Sequence, residues 1–312
     1  MPRQCCRGRD GGPDSVVAFC QHDRVTRHLY SCPLRWADMD ALGHVNNVTY
    51  VDYLQEARVD VFRLHAPRPG GEELAEGVVV VRHEVDYLTP LAFRRSPVSI
   101  DVWVSEVRAA SFTLCYEVYD EQPDGERVVY LRARSALAPY VFSDERPRRI
   151  TDAERDVLDG LRDDRPRPRE RDGRLPRDSG DARRHRYECQ VRFSDVDLYR
   201  HVNNVKYFEY MQEARIDLLR LDERPEGEPE VSVVVVAVDV EYNRPVLWRP
   251  DAYPIDSWVE RVGSSSFTLA SEFSDGHEVL ARARAVVVGF DAASSQARRL
   301  PDWLRERVSP RC

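Results

Sequence analysis

The residues with chemistry to offer sit in one short cluster that occurs twice. Residues 35–58 read RWADMDALGHVNNVTYVDYLQEAR, and residues 192–215 read RFSDVDLYRHVNNVKYFEYMQEAR. Aligned without gaps, 14 of the 24 positions are identical, among them Asp38/Asp195, Asp40/Asp197, His44/His201 and two consecutive asparagines. The shared pattern, Asp-x-Asp-x3-His-x-Asn-Asn, stands directly before an apolar stripe of helical spacing. The first amides of a helix have no acceptor within the helix. They carry a partial positive charge that suits an oxygen gaining negative charge. A carboxylate next to such donors can activate water, or attack a carbonyl itself. A carboxylate, oxyanion donors and a polar loop are the parts needed for acyl transfer to water. No Gly-x-Ser-x-Gly elbow is present and no cysteine is read as common to both copies, so serine and cysteine nucleophiles are not expected.

The elements that must position these residues are legible from periodicity. The copies start 157 residues apart in a chain of 312. Solenoid units run only ~20–50 residues, so two copies of a whole domain are expected. In the first copy a helix starts at Asn46 or Asn47, either of which can cap it. Its stripe is Tyr50, Leu54, Ala57, Val61 and Leu64, and Pro67 with Gly70-Gly71 ends it. Strands are expected over 27–36, 77–89, 98–107, 111–120 and 128–141, and a closing helix over 152–162. The second copy repeats the order: a strand over 187–193, a helix over 203–221, strands over 231–242, 252–262, 266–275 and 278–290, and a helix over 301–308. Tyr87/Tyr242, Pro90/Pro245, Trp103/Trp258 and the Ser-Phe-Thr-Leu runs at 111 and 266 match as well. One long helix followed by a run of strands predicts an α+β unit, an antiparallel sheet wrapped on a helix. Residues 1–26 are expected to form a flexible tail. Residues 163–185, rich in Arg and Asp, are expected to be a linker between domains 27–162 and 186–312.

Composition narrows the classes further. The 46 basic and 54 acidic residues give a net charge of −8, which speaks against a broad nucleic-acid footprint. No apolar run approaches the ~20 residues of a membrane span. The N-terminus lacks the apolar core of a signal peptide. The seven cysteines are odd in number and form no C-x2-C pair. Reduced thiols, a cytoplasmic location and no metal site are therefore expected.

With those residues in view, the cluster resembles the hotdog-fold thioesterases of the 4-hydroxybenzoyl-CoA thioesterase superfamily, and among them the acyl-CoA thioester hydrolases. The His-Val-Asn-Asn-x-x-Tyr run is also similar to the acyl-ACP thioesterases of plants. The resemblance covers both halves and implies two tandem hotdog domains, each a long central helix wrapped by an antiparallel β-sheet. It implies hydrolysis of an acyl-CoA, or of an acyl-ACP, with no cofactor beyond the coenzyme A of the substrate. It puts the catalytic carboxylate at Asp40 and Asp197, and the amide that polarises the thioester carbonyl at Asn47 and Asn204. His44 and His201 match a catalytic His of the plant relatives and are expected to orient water or the carboxylate. Sites in the family lie between paired hotdog units, so an intramolecular pseudo-dimer is implied, with further homo-oligomers open. The chain departs from the plant pattern at Leu42 and Tyr199, where those relatives carry Asn. It also departs at Arg200, where the first copy has the usual small residue, Gly43.

Other residues carry competing expectations. Asp38 and Asp195 suit structural partners for Arg35 and Arg192. Tyr50 and Tyr207 lie on the buried stripe and face either the core or the substrate. Arg94, Arg95 and Arg249 are candidates for the phosphates of coenzyme A. Glu56 and Glu213 are reserve carboxylates, since some relatives use a helix Glu. Each is expected, with Arg58 or Arg215, to pair with another element, because residues two apart on a helix do not face each other. A non-catalytic acyl-CoA binding or sensing protein and a hotdog enoyl-CoA hydratase or dehydratase are the alternatives. The hydratase pattern, Asp-x-Asn-Pro-x-His, is not matched here.

Overall fold

The computed structural model describes residues 27–66, 77–164, 183–291 and 296–309, with Leu74, Pro168, Leu175 and Ser294 individually. The expected tail, and most of the expected linker, lie outside the described residues.

The repeat in sequence is matched by a repeat in elements. The first series is β1 (His28–Cys32), a 3-10 turn (Trp36–Asp38), α1 (Thr49–His65), β2 (Val78–Tyr87), β3 (Val98–Val107), β4 (Phe112–Glu121), β5 (Arg127–Val141), the two-residue β6 (Arg146–Pro147) and α2 (Asp152–Gly160). The second is β7 (His185–Cys189), a 3-10 turn (Phe193–Asp195), α3 (Lys206–Leu219), β8 (Ser232–Tyr242), β9 (Tyr253–Val262), β10 (Ser266–Ser274), β11 (Val279–Asp291), β12 (Gln296–Ala297) and α4 (Asp302–Arg307). The strands that were expected to run to residues 36 and 193 stop at Cys32 and Cys189, because each copy needs a 3-10 turn to enter its loop.

Among the described residues ten strands pair antiparallel along the path β1-β3-β4-β5-β2-β8-β11-β10-β9-β7, with β6 paired to β5 and β12 to β11 beside it. The halves join where β2 pairs β8, with His83 opposite Val240, Glu84 opposite Asp239 and Val85 opposite Val238. This pairing removes one open edge from each half. In β3 the alternating residues Ile100, Val102 and Val104 are buried, and α1 packs over them through Tyr50, Leu54, Ala57 and Val61. Leu64, expected on that stripe, is 56% exposed. Phe62 takes its place, packed edge-on against Phe112 at 6.0 Å between ring centroids. Leu221 falls outside α3, which ends at Arg220 in the left-handed region, φ +39°. Burying these side chains is the main stabilising term, about 1.5–3 kcal/mol for each large one.

Cys32 and Cys189 are, against expectation, equivalent residues: each closes the first strand of its half. Both are buried, and burial pushes both thiols up to about 12, which keeps them protonated. Among the described residues no helix is long and apolar enough to cross a membrane.

Candidate active site at the two Asp-His-Asn loops

Each loop is pinned to its helix by the first aspartate. Asp38 Oδ2 accepts the Arg35 amide at 2.7 Å and the Tyr53 hydroxyl at 2.5 Å. Asp195 Oδ2 accepts the Arg192 amide at 2.9 Å and the Tyr210 hydroxyl at 2.7 Å. The expected partner was the arginine, and the contact is to its backbone rather than its guanidinium. The tyrosine completes the clamp from one turn inside the helix.

The second aspartate folds the loop around itself. Asp40 Oδ1 accepts the amides of Leu42 at 2.9 Å and His44 at 3.2 Å, while its own amide donates to the His44 carbonyl at 2.7 Å. Asp197 repeats this with Tyr199 at 2.8 Å, His201 at 3.3 Å and the His201 carbonyl at 2.8 Å. The turn requires a left-handed residue, supplied by Gly43 at φ +78° and by Arg200 at φ +65°. In each loop Oδ1 is held, and Oδ2 has no protein partner among the described residues. Docking to the β2–β3 connection comes through Val45, whose amide donates to the Leu91 carbonyl at 2.8 Å. His44 and His201 are half-buried. The His44 ring makes no hydrogen bond to the Asp40 carboxylate among the described residues; His44 meets Asp40 through its backbone amide and carbonyl.

The asparagines divide their tasks. Asn46 Oδ1 accepts the Val48 amide at 3.0 Å, an Asx turn, and α1 begins only at Thr49. The corresponding bond from Val205 to Asn203 is also 3.0 Å. The Asn46 amide is taken by the Asp38 carbonyl at 2.8 Å. The Asn47 amide between them has no acceptor among the described residues. Tyr87 donates its hydroxyl to the Asn47 carbonyl at 2.7 Å, and Tyr242 to the Asn204 carbonyl at 2.8 Å. Burial pushes both phenols up, so both stay protonated as donors. The Tyr87/Tyr242 match was visible in the sequence, but nothing local to it marked that role.

Asn47 also lines a narrow cavity whose other walls belong to the second half: Phe208, Met211 and Arg215 on α3, and Val238, Ser271 and Ala285 on the sheet. Its free volume is about 10 Å³, room for about one water. Burial pushes the Arg215 guanidinium down to about 10. The ion pairs expected for Arg58 and Arg215 are absent among the described residues: both arginines are buried, while Glu56 and Glu213 point outward.

Two of the candidate arginines and both candidate tyrosines have contacts within the chain. Arg94 is forked onto both carboxylate oxygens of Asp120 and reaches Tyr130 Oη at 3.5 Å. Arg249 lies over the Tyr253 ring at 3.6 Å and donates to the carbonyls of Asp251 at 3.1 Å, Ala252 at 2.7 Å and Asp275 at 3.4 Å. Both guanidiniums are thus committed to bracing turns. Tyr50 and Tyr207 are buried in the core, and Tyr207 Oη accepts the Val246 amide at 3.1 Å. Arg95 alone of the three arginines is exposed and makes no side-chain hydrogen bond among the described residues.

An antiparallel sheet over long helices, with carboxylate loops at the helix starts, is the architecture of a hotdog-type thioesterase. Residues 34–159 and 191–308 match the thioesterase-like superfamily, and the chain belongs to that family. The long-chain acyl-CoA thioesterase FadM of Escherichia coli (strain K12) is 30% identical over 125 residues, 39% of this chain and 94% of FadM. The 12:0-ACP thioesterase from Umbellularia californica is 18% identical, with 87% of this chain and 100% of that one covered at a TM-score of 0.66. An acyl-ACP thioesterase from Bacteroides thetaiotaomicron VPI-5482 is 16% identical, with 86% and 100% covered at a TM-score of 0.64. At those identities the two structures speak for the fold.

Proposed function

We propose that this chain hydrolyses an acyl-CoA thioester to the free acid and coenzyme A, without a metal or further cofactor. One observation carries the reading. Asp40 has one carboxylate oxygen locked by loop amides and the other free, on the loop that ends in the unpaired Asn47 amide at the wall of a cavity. The free oxygen activates a water, or adds to the thioester carbon and expels the coenzyme A thiolate to give an anhydride that water then opens. The Asn47 N–H holds the carbonyl oxygen as it gains charge. His44, on the same loop, orients the water. Asp197, His201 and Asn204 are the corresponding set in the second half.

On this reading the chain is two hotdog units in tandem, 27–162 and 186–312, paired within one molecule in the cytoplasm. Arg95 is the remaining candidate for a coenzyme A phosphate. Acyl-ACP is the second substrate class, as in two acyl-ACP thioesterases that share this fold over most of the chain. The test is thiol release from a panel of acyl-CoA and acyl-ACP esters, followed with a thiol-trapping dye. Release from either class supports the reading. Binding without release would make the chain an acyl-thioester sensor, and loss of the double bond of an enoyl-CoA without thiol release would make it a hydratase.

A further inference from the structure

We infer that the chain has one acyl pocket rather than two, that the acyl group enters by widening the narrow cavity between Asn47 of the first half and the interior of the second, and that its twin is filled by His83 and Tyr116. The inference rests on the thioesterase reading for the identity of the ligand.

The sheet registers fix which residues are twins. Opposite Ala283 of β11 lie Val240 on β8 and Ser271 on β10. Opposite Ala133 of β5 lie Val85 on β2 and Tyr116 on β4. Ala285 faces Val238 and Leu269, while Ser135 faces His83 and Leu114. Val238, Ser271 and Ala285, which line the narrow cavity, therefore correspond to His83, Tyr116 and Ser135. All three replacements are larger or more polar, and all three are 0% exposed, whereas their twins keep 4%, 5% and 8%.

The filling is wired to the second loop. His83 Nδ1 lies 2.8 Å from Ser135 Oγ and His83 Nε2 lies 3.2 Å from Asn204 Oδ1. Asn204 Nδ2 donates to Gln55 Oε1 at 3.3 Å. The residue that would sit at the mouth of a second pocket is thus bonded to the group that fills it. Outside, Tyr199 stacks on Phe142 of the first half at 3.7 Å between centroids and 4° between planes. Phe142 also lies 6.0 Å from the His201 ring. Leu42, the counterpart of Tyr199, has no ring to make that stack.

The test is the stoichiometry of S-alkyl coenzyme A thioethers, which have no thioester bond to hydrolyse, on the full chain by titration calorimetry. The expected result is one molecule per chain. Filling the narrow cavity with its twin's side chains, Val238→His with Ser271→Tyr, is expected to abolish binding. The reverse exchange, His83→Val with Tyr116→Ser, is expected to raise the stoichiometry toward two. In thiol release, Asp40→Asn is expected to lose at least ~10²-fold more turnover than Asp197→Asn. Two molecules, or none, bound to the unaltered chain would overturn the inference, and that readout needs no variant to fold. It also separates the two readings: one molecule bound without thiol release leaves the single pocket and removes the enzyme, while two bound with thiol release does the opposite.

Discussion

His83 Nε2 meets Asn204 Oδ1 at 3.2 Å across the junction of the two halves, while Asn47, the twin of Asn204, faces a cavity. His83 is fully buried beside Arg58, with Ser135, Asn204 and the rings of Phe208 and Tyr242 as its other neighbours. Burial first, then the Arg58 charge, push its pKa down to about 3 from 6.5. The unfolded chain therefore binds a proton that the folded chain refuses between those values. Stability is fully present above pH 6.5 and falls as pH drops toward 3. His83→Val removes that dependence. Urea midpoints at pH 7.5 and 5.5, a window chosen ~1 unit above the ordinary carboxylate pKa values, are expected to differ less in the variant than in the unaltered chain.

Arg200 holds a left-handed backbone, φ +65°, where Gly43 has φ +78°. That conformation costs an L-residue roughly 1 kcal/mol. Arg200→Gly is expected to stabilise the chain and Gly43→Ala to destabilise it, each by about 1 kcal/mol. Nothing lies within 4 Å of a Cβ at Gly43, so backbone strain is the only steric term at that site. Denaturant midpoints check the signs.

Tyr53 donates to the buried Asp38 carboxylate. Tyr53→Phe keeps the ring and deletes the donor, leaving Asp38 with the Arg35 amide. Hydrogen bonds to charged groups contribute about 1.5–3 kcal/mol, and a loss of that size in stability is expected. Because the clamp sets the loop carrying Asp40, thiol release is expected to fall by lowered kcat rather than raised KM.

Arg94 spends its guanidinium on Asp120 and Tyr130. Arg94→Ala is expected to lower thermal stability and leave the KM for coenzyme A esters within about 2-fold, against the ~10-fold that a deleted charge-assisted phosphate contact of at least 1.4 kcal/mol would bring. A matched pair of melting and KM measurements separates the two roles.

The parts legible in the sequence were those encoded locally. Alternation gave β3 at its observed bounds, Val98–Val107, and the repeated motif marked the loops. The helix start was read early because Asn46 bonds Val48 in a turn before the helix, which spacing alone does not separate from a cap. Arg58 and Arg215 look like ion-pair partners in sequence, yet both are buried without one among the described residues, an outcome of long-range packing. The cavity was illegible for the same reason. Asn47 meets Phe208 and Ser271 only through the β2–β8 junction, and the contrast between His83 and Val238 has meaning only once the registers make them twins.

The most direct test of the account is thiol release from acyl-CoA by the unaltered chain and by a folded Asp40→Asn variant, side by side. Release by the first and a loss of ~10²–10⁴-fold in the second are expected. Equal rates from both would contradict the account.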